Sequence, residues 1–514
     1  MNYKSLTNKH KSIKMKHYII ILLLILPLLS YGQQKYNPKP VKASTKIVVG
    51  KIKRVNKLMG SAVYRHGMRP KQYDNFEKLK EIASKEELIA LTNHPNGVVR
   101  CYAFWALSYH KSVDLFPIVL NHIRDEKIVN TQFGCIGDRV MVGDFFIDVV
   151  TPRYIDLEST KLDSVQRAKL DSILIYSDSK LKAKSWAIYD AKPTESLYPR
   201  IKEIYVKDNN QYALVTLAKY RKTEDIPLIL NNKEHIIIED EDDKYYKYEY
   251  DNYFYTYEAI QKFPHNDFVS LLEKKLYESL DKKYLSFEWY GLYEAIAAYK
   301  NEKSVELLTV PFTQVQHENI RKYHLKYAHN AIRKHKNEIY DSLLWEFWIE
   351  ENIISPDIFQ YLLEKDSIKV FELTKENFAN MDKINSINSF LFSNSRDLIK
   401  SIVQTMLDLI LKNDYEFGFE MIREYIKKAN GLLITNFIEK VIELKDKSFI
   451  EPLFERLAKE DNPHVYLKVT EALLSYQDDA INKRILETLK INDNLNKNWG
   501  GKKLDELLKK HNVK

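Results

Sequence analysis

The stretch Ala103–Leu120, AFWALSYHKSVDLFPIVL, aligns without a gap with Ala213–Leu230, ALVTLAKYRKTEDIPLIL. An alanine, a leucine, an acid, a proline and several aliphatic residues stay in register. Further along, Tyr257–Ile260 (YEAI) recurs as Tyr293–Ile296, and an Ala-Ile pair returns 36 residues later at Ala331. Self-similarity at this period is typical of stacked helix pairs, in which each pair buries its apolar face only against the next pair. The sequence therefore predicts an all-α protein, specifically an α-solenoid.

The repeat register also predicts the core. One position is always a small residue, which lets paired helices approach closely; it is occupied by Ala103, Ala213, Ala259, Ala295 and Ala331. A second position lies one turn later on the same helix face; it is occupied by Leu107, Leu217, Phe263, Tyr299 and His335. A third position, on the second helix of each pair, is occupied by Phe116, Ile226, Leu272, Leu308 and Leu344. These residues are expected to pack in the interior.

The region Glu87–Asp125 carries the most regular repeat. A short helical pattern ends at Asn93–Gly97, which contains a proline, and Val98–Leu107 (VVRCYAFWAL) follows with Val-Arg, small residues and a terminal leucine. This pattern resembles a HEAT repeat, and Asp461–Leu473 repeats it near the C-terminus without the arginine. The resemblance covers most of residues 75–490. It implies an array of helix pairs that offers surfaces for binding, and a related armadillo-like array fits nearly as well.

The N-terminus predicts export. Five lysines precede an apolar run over Tyr18–Leu29, and Ser30–Gly32 then supplies small residues. A charged segment, a short apolar segment and small residues form the pattern of a cleaved signal peptide. The run is shorter than the roughly 20 apolar residues that cross a bilayer. We therefore expect residues 1–32 to be a signal peptide, no transmembrane anchor, and a periplasmic or extracellular protein.

Charge and composition narrow the function classes. The formal charge is +8, but residues 1–32 hold five lysines and no acid, so the remainder has 74 basic and 71 acidic residues. A nearly balanced surface gives no reason to expect nucleic acid as a partner. Thirteen glycines and fifteen prolines are few for 514 residues, which argues against an all-β protein.

Two features interrupt the helical pattern. Residues 33–75 are punctuated by glycine and proline, and Lys46–Val55 (KIVVGKIKRV) has a β-like pattern, so a short extended or β leader is predicted there. Glycines and alternating valines predict an inserted β-hairpin near 129–148. The helical repeats are expected over 76–232 and 253–350, with further repeats and a cap over 351–514.

The segment 233–252 is the candidate partner-binding site. The step from Ala213 to Ala259 is ten residues longer than the usual 36, and the extra length is acidic and rich in tyrosine. Insertions in repeat arrays project from one edge, where binding specificity often lies. The candidate residues are Glu239, Asp240, Glu241, Asp242, Asp243, Tyr245, Tyr246, Tyr248 and Tyr250. A solvated charge run and tyrosines that only pack are the alternative.

One motif suggests phosphatase chemistry. Arg65–Pro70 (RHGMRP) resembles the signature of histidine acid phosphatases, in which a histidine among arginines accepts phosphate. Here the proline comes one residue early, and no His-Asp or His-Ala-Glu proton donor follows. A basic loop near the N-terminal end of the array is the favoured interpretation, and an enzyme is the less favoured one.

No other pattern predicts catalysis, a metal or a cofactor. The four histidines of residues 317–335 do not have zinc-ligand spacing, because His324 and His335 would lie roughly 16 Å apart on one helix. His329 and His335 fall at repeat positions that hold aromatic residues elsewhere, so they are expected to pack. Cys101 and Cys135 are the only cysteines; a disulfide between them is feasible in an oxidising compartment, and two buried free thiols are the alternative.

Together these features favour one function class. We expect an exported, non-enzymatic repeat scaffold that binds a protein partner and is itself a monomer. A glycan-binding or envelope-associated module with aromatic platforms is the alternative, and a hydrolase is less favoured. The expectation names no catalytic, cofactor or metal residues.

Overall fold

The structure is a computed structural model that describes residues 34–152, 156, 158–239, 247–392, 401–431 and 433–513. The predicted signal peptide, residues 1–32, lies outside the described residues. After Phe263 the chain divides into two compact units. Both are mostly helical, as the repeat period predicts. In the described part of the chain, no helix has the length and apolar character needed to cross a bilayer.

The first unit begins with a helix where a strand is predicted. Helix α1 covers Ala43–Val55, so the β interpretation of Lys46–Val55 is wrong. Its β-branched residues suggest a strand, but Thr45, Val48, Val49 and Ile52 are buried at helical spacing. Contacts with the helices that follow decide the outcome, because tertiary packing commonly overrides intrinsic propensity.

Eleven further α-helices of the first unit lie among its described residues. They are α2 (Lys71–Ile82), α3 (Lys85–Leu91), α4 (Gly97–Leu107), α5 (Phe116–Asn121), α6 (Val142–Val150), α7 (Ser164–Tyr176), α8 (Lys182–Asp190), α9 (Tyr198–Asp208), α10 (Gln211–Ala218), α11 (Ile226–Leu230) and α12 (Phe254–Lys262). Asparagine side chains begin two of the core helices: Asn96 accepts a hydrogen bond from the backbone N–H of Val99, and Asn210 from that of Ala213. Such caps satisfy donors that the first helical turn leaves unpaired.

The helices of the first unit pack on their next-but-one neighbours. Helix α4 contacts α2 and α6, α8 contacts α6 and α10, and α10 contacts α12. Helices adjacent in sequence also pack, including α3 on α4, α7 on α8 and α9 on α10. Helices α4, α6, α8 and α10 therefore each contact the next-but-one helix on both sides in the chain.

A three-stranded sheet joins the leader to the predicted hairpin. Strands β2 (Ile128–Gly134) and β3 (Ile136–Met141) are antiparallel, which confirms the predicted hairpin, although the residues from Val142 onward form α6. Strand β1 (Leu58–Val63) pairs in parallel with β2, so the leader does contribute one strand. The hydroxyl of Tyr102 on α4 accepts from the N–H of Met59 at 2.8 Å and lies 2.9 Å from the carbonyl of the same residue.

The extra length before Ala259 is a second hairpin. Strands β4 (Glu234–Glu239) and β5 (Lys247–Asn252) are antiparallel, with Glu234 opposite Asn252 and Glu239 opposite Lys247. The flanks of this hairpin are tied to each other directly. The side chain of Asn232 donates to Thr256 Oγ1 at 2.9 Å, and that hydroxyl donates to the Asn232 carbonyl.

The second unit contains helices α13 to α27 among its described residues. They are α13 (Val269–Leu280), α14 (Glu288–Ala297), α15 (Glu302–Thr313), α16 (Glu318–Lys334), α17 (Asp341–Ile349), α18 (Pro356–Lys365), α19 (Ser367–Asn377), α20 (Met381–Phe392), α21 (Ile402–Asn413), α22 (Tyr415–Lys428), α23 (Ile434–Leu444), α24 (Ile450–Leu457), α25 (Pro463–Leu474), α26 (Asp479–Ile491) and α27 (Asn498–Lys510). Next-but-one packing recurs here: α14 contacts α16, α19 contacts α21, and α21, α23, α25 and α27 contact one another in succession.

Most of the predicted core positions are buried, but Tyr299 and His335 at the second position are only half-buried. All five alanines of the repeat register are fully inaccessible, and so are Leu107 and Leu217 one turn later. The third position is also buried at Phe116, Ile226 and Leu272 and at the two leucines that follow in register. The recurring small residue is therefore buried at each of the five repeats, as the sequence predicts.

Candidate functional site

The predicted acidic site is described only in part. Glu239 ends β4, and Tyr248 and Tyr250 belong to β5, where they lie opposite Ile238 and Ile236. The tip of the hairpin, with Asp240, Glu241, Asp242, Asp243, Tyr245 and Tyr246, lies outside the described residues. Tyr250 is exposed. At the base of the hairpin, Lys233 Nζ lies 2.7 Å from Asp251 Oδ2, and both side chains are partly exposed.

Beside this hairpin the first unit carries four aromatic rings in a continuous series. We call Trp186, Tyr189, Tyr212 and Tyr255 the aromatic ridge. The ring centroid of Tyr212 lies 5.5 Å from that of Trp186, 5.7 Å from that of Tyr189 and 5.3 Å from that of Tyr255. Trp186 is 42% exposed and the three tyrosines are half-buried. Rings that touch one another in this way hold their orientation without a ligand.

The ridge forms because two of its residues occupy equivalent positions on neighbouring helices. Trp186 precedes the buried Ala187, and Tyr212 precedes the buried Ala213. Because α8 packs on α10, residues at this same position of both helices come to lie side by side. On α12 the equivalent residue is Glu258, whose carboxylate accepts a hydrogen bond from the Tyr189 hydroxyl. The ridge is therefore a product of stacking, with an acid where the next aromatic residue would lie.

The surroundings of Tyr189 fix its protonation state. Burial, and then the hydrogen bond to Glu258, raise the pKa of this phenol. The ammonium of Lys219 lies 5.3 Å from the centroid of the Tyr189 ring, and burial lowers the pKa of that lysine. Burial likewise raises the pKa of Tyr255, so Tyr189 and Tyr255 are uncharged phenols at neutral pH.

A depression opens beside Trp186, between β3, α6, α7 and α8. Its volume is about 190 Å³. Its apolar lining is buried and consists of Ile147, Leu170, Leu174 and Ala187, with Val140 at the edge. Its charged lining consists of Asp138, Arg139, Asp144, Asp148, Arg167, Asp171, Lys182 and Asp190. An apolar floor under a polar rim is the usual arrangement of a small-molecule site.

Asp144 has a structural role within this depression. It is buried, and its carboxylate accepts hydrogen bonds from the backbone N–H groups of Lys182 and Ala183 at 3.1 and 2.9 Å. These donors belong to the first turn of α8. Burial raises the pKa of Asp144 and outweighs the opposing effect of both hydrogen bonds. Asp144 thus holds α8, and with it Trp186, in position.

A buried charged cluster joins the start of α4 to the segment that follows α5. Arg100 Nη2 contacts Asp125 Oδ1 at 2.8 Å, and His122 Nδ1 contacts Asp125 Oδ2 at 3.0 Å. The guanidinium also donates to the carbonyl of His94 at 2.7 Å. Burial acts to raise the pKa of Asp125, but the hydrogen bond from His122 and the charge of Arg100 outweigh it, so the pKa is lowered. Asp125 thus joins Arg100 to His122, and Arg100 also bonds to the turn before α4.

The motif Arg65–Pro70 forms an exposed turn. Gly67 adopts a φ of 62°, and Met68 bridges back to Val63. Arg69 Nε lies 2.7 Å from Asp74 Oδ1, and its guanidinium lies over the Tyr73 ring. His66 is exposed on this turn rather than enclosed by guanidiniums. The arrangement fits the basic-loop interpretation.

Two histidines of the second unit are fully buried. The His324 ring stacks on Trp289 with centroids 4.3 Å apart, and its Nδ1 lies 2.8 Å from the Tyr293 hydroxyl. His329 meets the Phe347 ring edge-on. Burial lowers the pKa of His324 to about 4 and that of His329 to about 3. His329 therefore packs as an uncharged aromatic residue, as its repeat position predicts.

The second unit also exposes aromatic side chains. Tyr284 and Phe287, in the segment between α13 and α14, are 84% and 82% exposed, whereas Trp289 is buried. Within the stretch Phe287–Tyr290, Phe287 therefore lies on the surface and Trp289 in the core. Tyr290 is partly exposed and lies edge-on to Tyr327.

The two cysteines are not bonded to each other. Cys101 is buried inside α4 and Cys135 is exposed between β2 and β3. The thiol of Cys101 has a raised pKa because of its burial. In the described ranges, no group of three or more histidine, cysteine, aspartate or glutamate residues is arranged to hold a metal ion.

Comparison of the chain with protein-family models, with curated proteins and with solved structures gives no match. The likeness to HEAT repeats therefore rests on the residues quoted above. The aromatic ridge and the depression beside it were not predicted. A signal was present in Trp186-Ala187 and Tyr212-Ala213, but their spacing of 26 residues differs from the 36-residue period.

Proposed function

We propose that this protein is a non-enzymatic scaffold that binds another protein, built as an α-solenoid of HEAT-like or armadillo-like helix pairs. Next-but-one packing of helices in both units supports the architecture, together with the buried alanines at the repeat position. Stacked pairs of this kind provide extended surfaces suited to recognising proteins.

The aromatic ridge carries the proposal. Half-exposed tyrosine and tryptophan supply large contact areas at low cost in side-chain entropy, and they are enriched at the centres of protein interfaces. Tyr212 joins Trp186 to Tyr255, and the β4–β5 hairpin follows α11 directly in the chain and leads into α12. We assign the ridge as the centre of the binding surface and the acidic, tyrosine-rich hairpin as its edge.

The two flanks of the hairpin are held together by contacts that do not involve the hairpin itself. Asn232 and Thr256, which flank it, hydrogen-bond to each other, and Asn232 also donates to Gln211 at 2.9 Å. Replacing Lys233–Asp251 by a short glycine-serine linker should therefore leave helicity and the thermal midpoint nearly unchanged. Collapse of the fold on deletion would contradict the assignment of this segment as an edge insertion.

The test of function is an affinity capture from envelope extract, with purified protein as bait and mass spectrometry of the retained proteins. Baits carrying the hairpin deletion or the double substitution Tyr212→Ser and Tyr255→Ser are compared with the unmodified chain. Tyr284→Ser is the matched control, because it removes an exposed tyrosine from the second unit. The proposal expects a protein retained by the unmodified and control baits and lost from both variants. Equal retention by all baits would reject the ridge.

The cellular setting is part of the same proposal. We infer export through a cleaved signal peptide at residues 1–32, into the periplasm or the medium, and a monomeric protein. Pulse-labelling in the native host tests the export step. A chain that shortens by about 32 residues and appears outside the cytoplasm supports it, and an unprocessed cytoplasmic chain contradicts it.

A further inference from the structure

We propose that the depression between β3, α6, α7 and α8 binds one sugar ring of a neutral oligosaccharide, with the indole of Trp186 as the stacking surface. This site shares Trp186 and Tyr212 with the aromatic ridge, but sugar binding would occur whether or not the ridge also binds a protein. Its ligand chemistry follows from the lining, the charge balance and the volume of the depression.

The lining matches the two faces of a sugar. A pyranose ring has an apolar face of C–H groups and a rim of hydroxyls. In the depression, Trp186 supplies a half-exposed aromatic surface above a floor of Leu170, Leu174 and Ala187 that is itself almost inaccessible. The charged side chains surround this floor, so a ring lying on Trp186 would direct its hydroxyls toward them. Pockets of this kind fix the ligand with a few polar groups over an apolar base.

The lining carries side chains of both charge signs, which suits a ligand rich in hydroxyl groups. The lining includes five carboxylates and three cationic groups, the latter from Arg139, Arg167 and Lys182. A charged ligand of either sign would be repelled by part of the rim: a cation by these three side chains, and an anion by the carboxylates. A hydroxyl both donates and accepts hydrogen bonds, so it can bind to a carboxylate and a guanidinium at once, including groups that already pair with each other.

The volume limits the ligand to one ring. Sites that enclose a drug-sized molecule occupy ~300–1,000 Å³. The depression holds about 190 Å³, which is too small for a nucleotide cofactor and sufficient for a single sugar residue. Further residues of an oligosaccharide would extend over the surface, where Tyr212 continues the aromatic ridge from Trp186.

The stacking surface is set in place before a ligand arrives. The Trp186 ring contacts Tyr189 at 6.3 Å and Tyr212 at 5.5 Å between centroids, and Asp144 anchors the start of α8. A side chain held in its binding orientation loses little conformational entropy on binding. Arg139, on the exposed strand β3, also lines the depression.

The proposal is tested by calorimetric titration of the purified protein with four neutral tetrasaccharides. The probes are the β-1,4 tetramers of glucose, xylose and N-acetylglucosamine and the α-1,4 tetramer of glucose, with tetralysine and tetragalacturonate as charged comparators. Saturable binding of at least one neutral probe is expected, with a dissociation constant nearly independent of salt, because screening acts only on charge contacts. Trp186→Ala should weaken it by about tenfold or more.

Two further variants keep the result interpretable. Trp499→Ala removes a half-exposed tryptophan from the second unit and should leave binding unchanged. Arg139→Ala alters an exposed rim residue that cannot disturb the core, and it should weaken binding by a smaller factor. The proposal is overturned if no neutral probe binds at concentrations up to about 10 mM, if Trp186→Ala binds as tightly as the unmodified chain, or if only a charged comparator binds, in a salt-dependent manner.

Discussion

The hydroxyl of Tyr340 donates to the carbonyl of Ala297 at 2.8 Å, joining residues 43 positions apart in the chain. The same oxygen accepts from the N–H of Lys300 at 3.1 Å and lies 2.7 Å from Ser304 Oγ. Tyr340 is fully buried, so one phenol satisfies several polar groups between α14 and α15. Similar hydroxyl-to-backbone contacts join Tyr102 to Met59, Tyr299 to His265, Tyr425 to Phe378 and Tyr476 to Asp446. Part of the high tyrosine content is thereby explained as packing between helix pairs.

Replacing this phenol by phenylalanine should destabilise the second unit. In Tyr340→Phe the ring still fills its site, but the N–H of Lys300 and the carbonyl of Ala297 lose their partner. A buried polar group left unpaired costs about 1–3 kcal/mol. Urea unfolding followed by circular dichroism should show a lower midpoint for the transition of this unit. The control Tyr284→Phe alters an exposed side chain and should not move the midpoint; equal midpoints for both variants would contradict the role assigned to the hydroxyl.

Removing one member of the buried pair Arg100–Asp125 should cost more than removing one member of an exposed pair. Asp125→Ala leaves the guanidinium of Arg100 buried without its carboxylate, which typically costs about 3–5 kcal/mol. Asp74→Ala breaks the exposed contact with Arg69, and such pairs contribute only about 0–1 kcal/mol. Differential scanning calorimetry of the two variants makes the comparison. A loss below 1 kcal/mol for Asp125→Ala would contradict the description of this cluster as a structural element.

The buried His324 should make the second unit sensitive to mild acid. Burial lowers its pKa to about 4 in the folded chain, against 6.5 in the unfolded chain. The unfolded state therefore binds a proton first as the pH falls, and stability is lost between pH 6.5 and about 4. Protonation of His324 lowers the free energy of unfolding by an amount on the order of 3 kcal/mol over this range. As the pH falls through this range, the thermal midpoint should fall less steeply for His324→Gln than for the unmodified chain. Parallel profiles of midpoint against pH would contradict this role of His324.

The buried residues could be predicted from sequence because they recur at equivalent positions of the repeat. Ala103 and Ala213 share their position with three later alanines, and each of the five is inaccessible in the structure. Periodicity reports which residues share a face, and a small residue at a fixed place reports close helix approach. The periodicity is a local property of the sequence, so it can be read without knowledge of the tertiary fold.

The sheet and the candidate site depend on contacts that no local pattern contains. Strand β1 pairs with β2 from Leu58 to Thr131, across more than 70 residues, and the segment LMGSAV has too few residues to show alternation. Likewise, Trp186 and Asp190 belong to α8, Leu170 to α7 and Arg139 to β3. Only the packing of these elements brings the four residues together, so the depression could not be derived from spacing.

The two cysteines should differ in reactivity by a large factor. Thiolate is the reactive form, and burial both raises the pKa of Cys101 and blocks access to it. Cys135 is exposed between β2 and β3, where a reagent reaches it directly. Titration of the native protein with a coloured disulfide reagent should therefore label one thiol per chain, and titration in denaturant should label two. In Cys135→Ser the native protein should not react, and denaturant should expose the single remaining thiol, that of Cys101. Labelling of no thiol in denaturant without reductant would instead show that Cys101 and Cys135 form a disulfide. That bond would require the turn between β2 and β3 to lie next to α4.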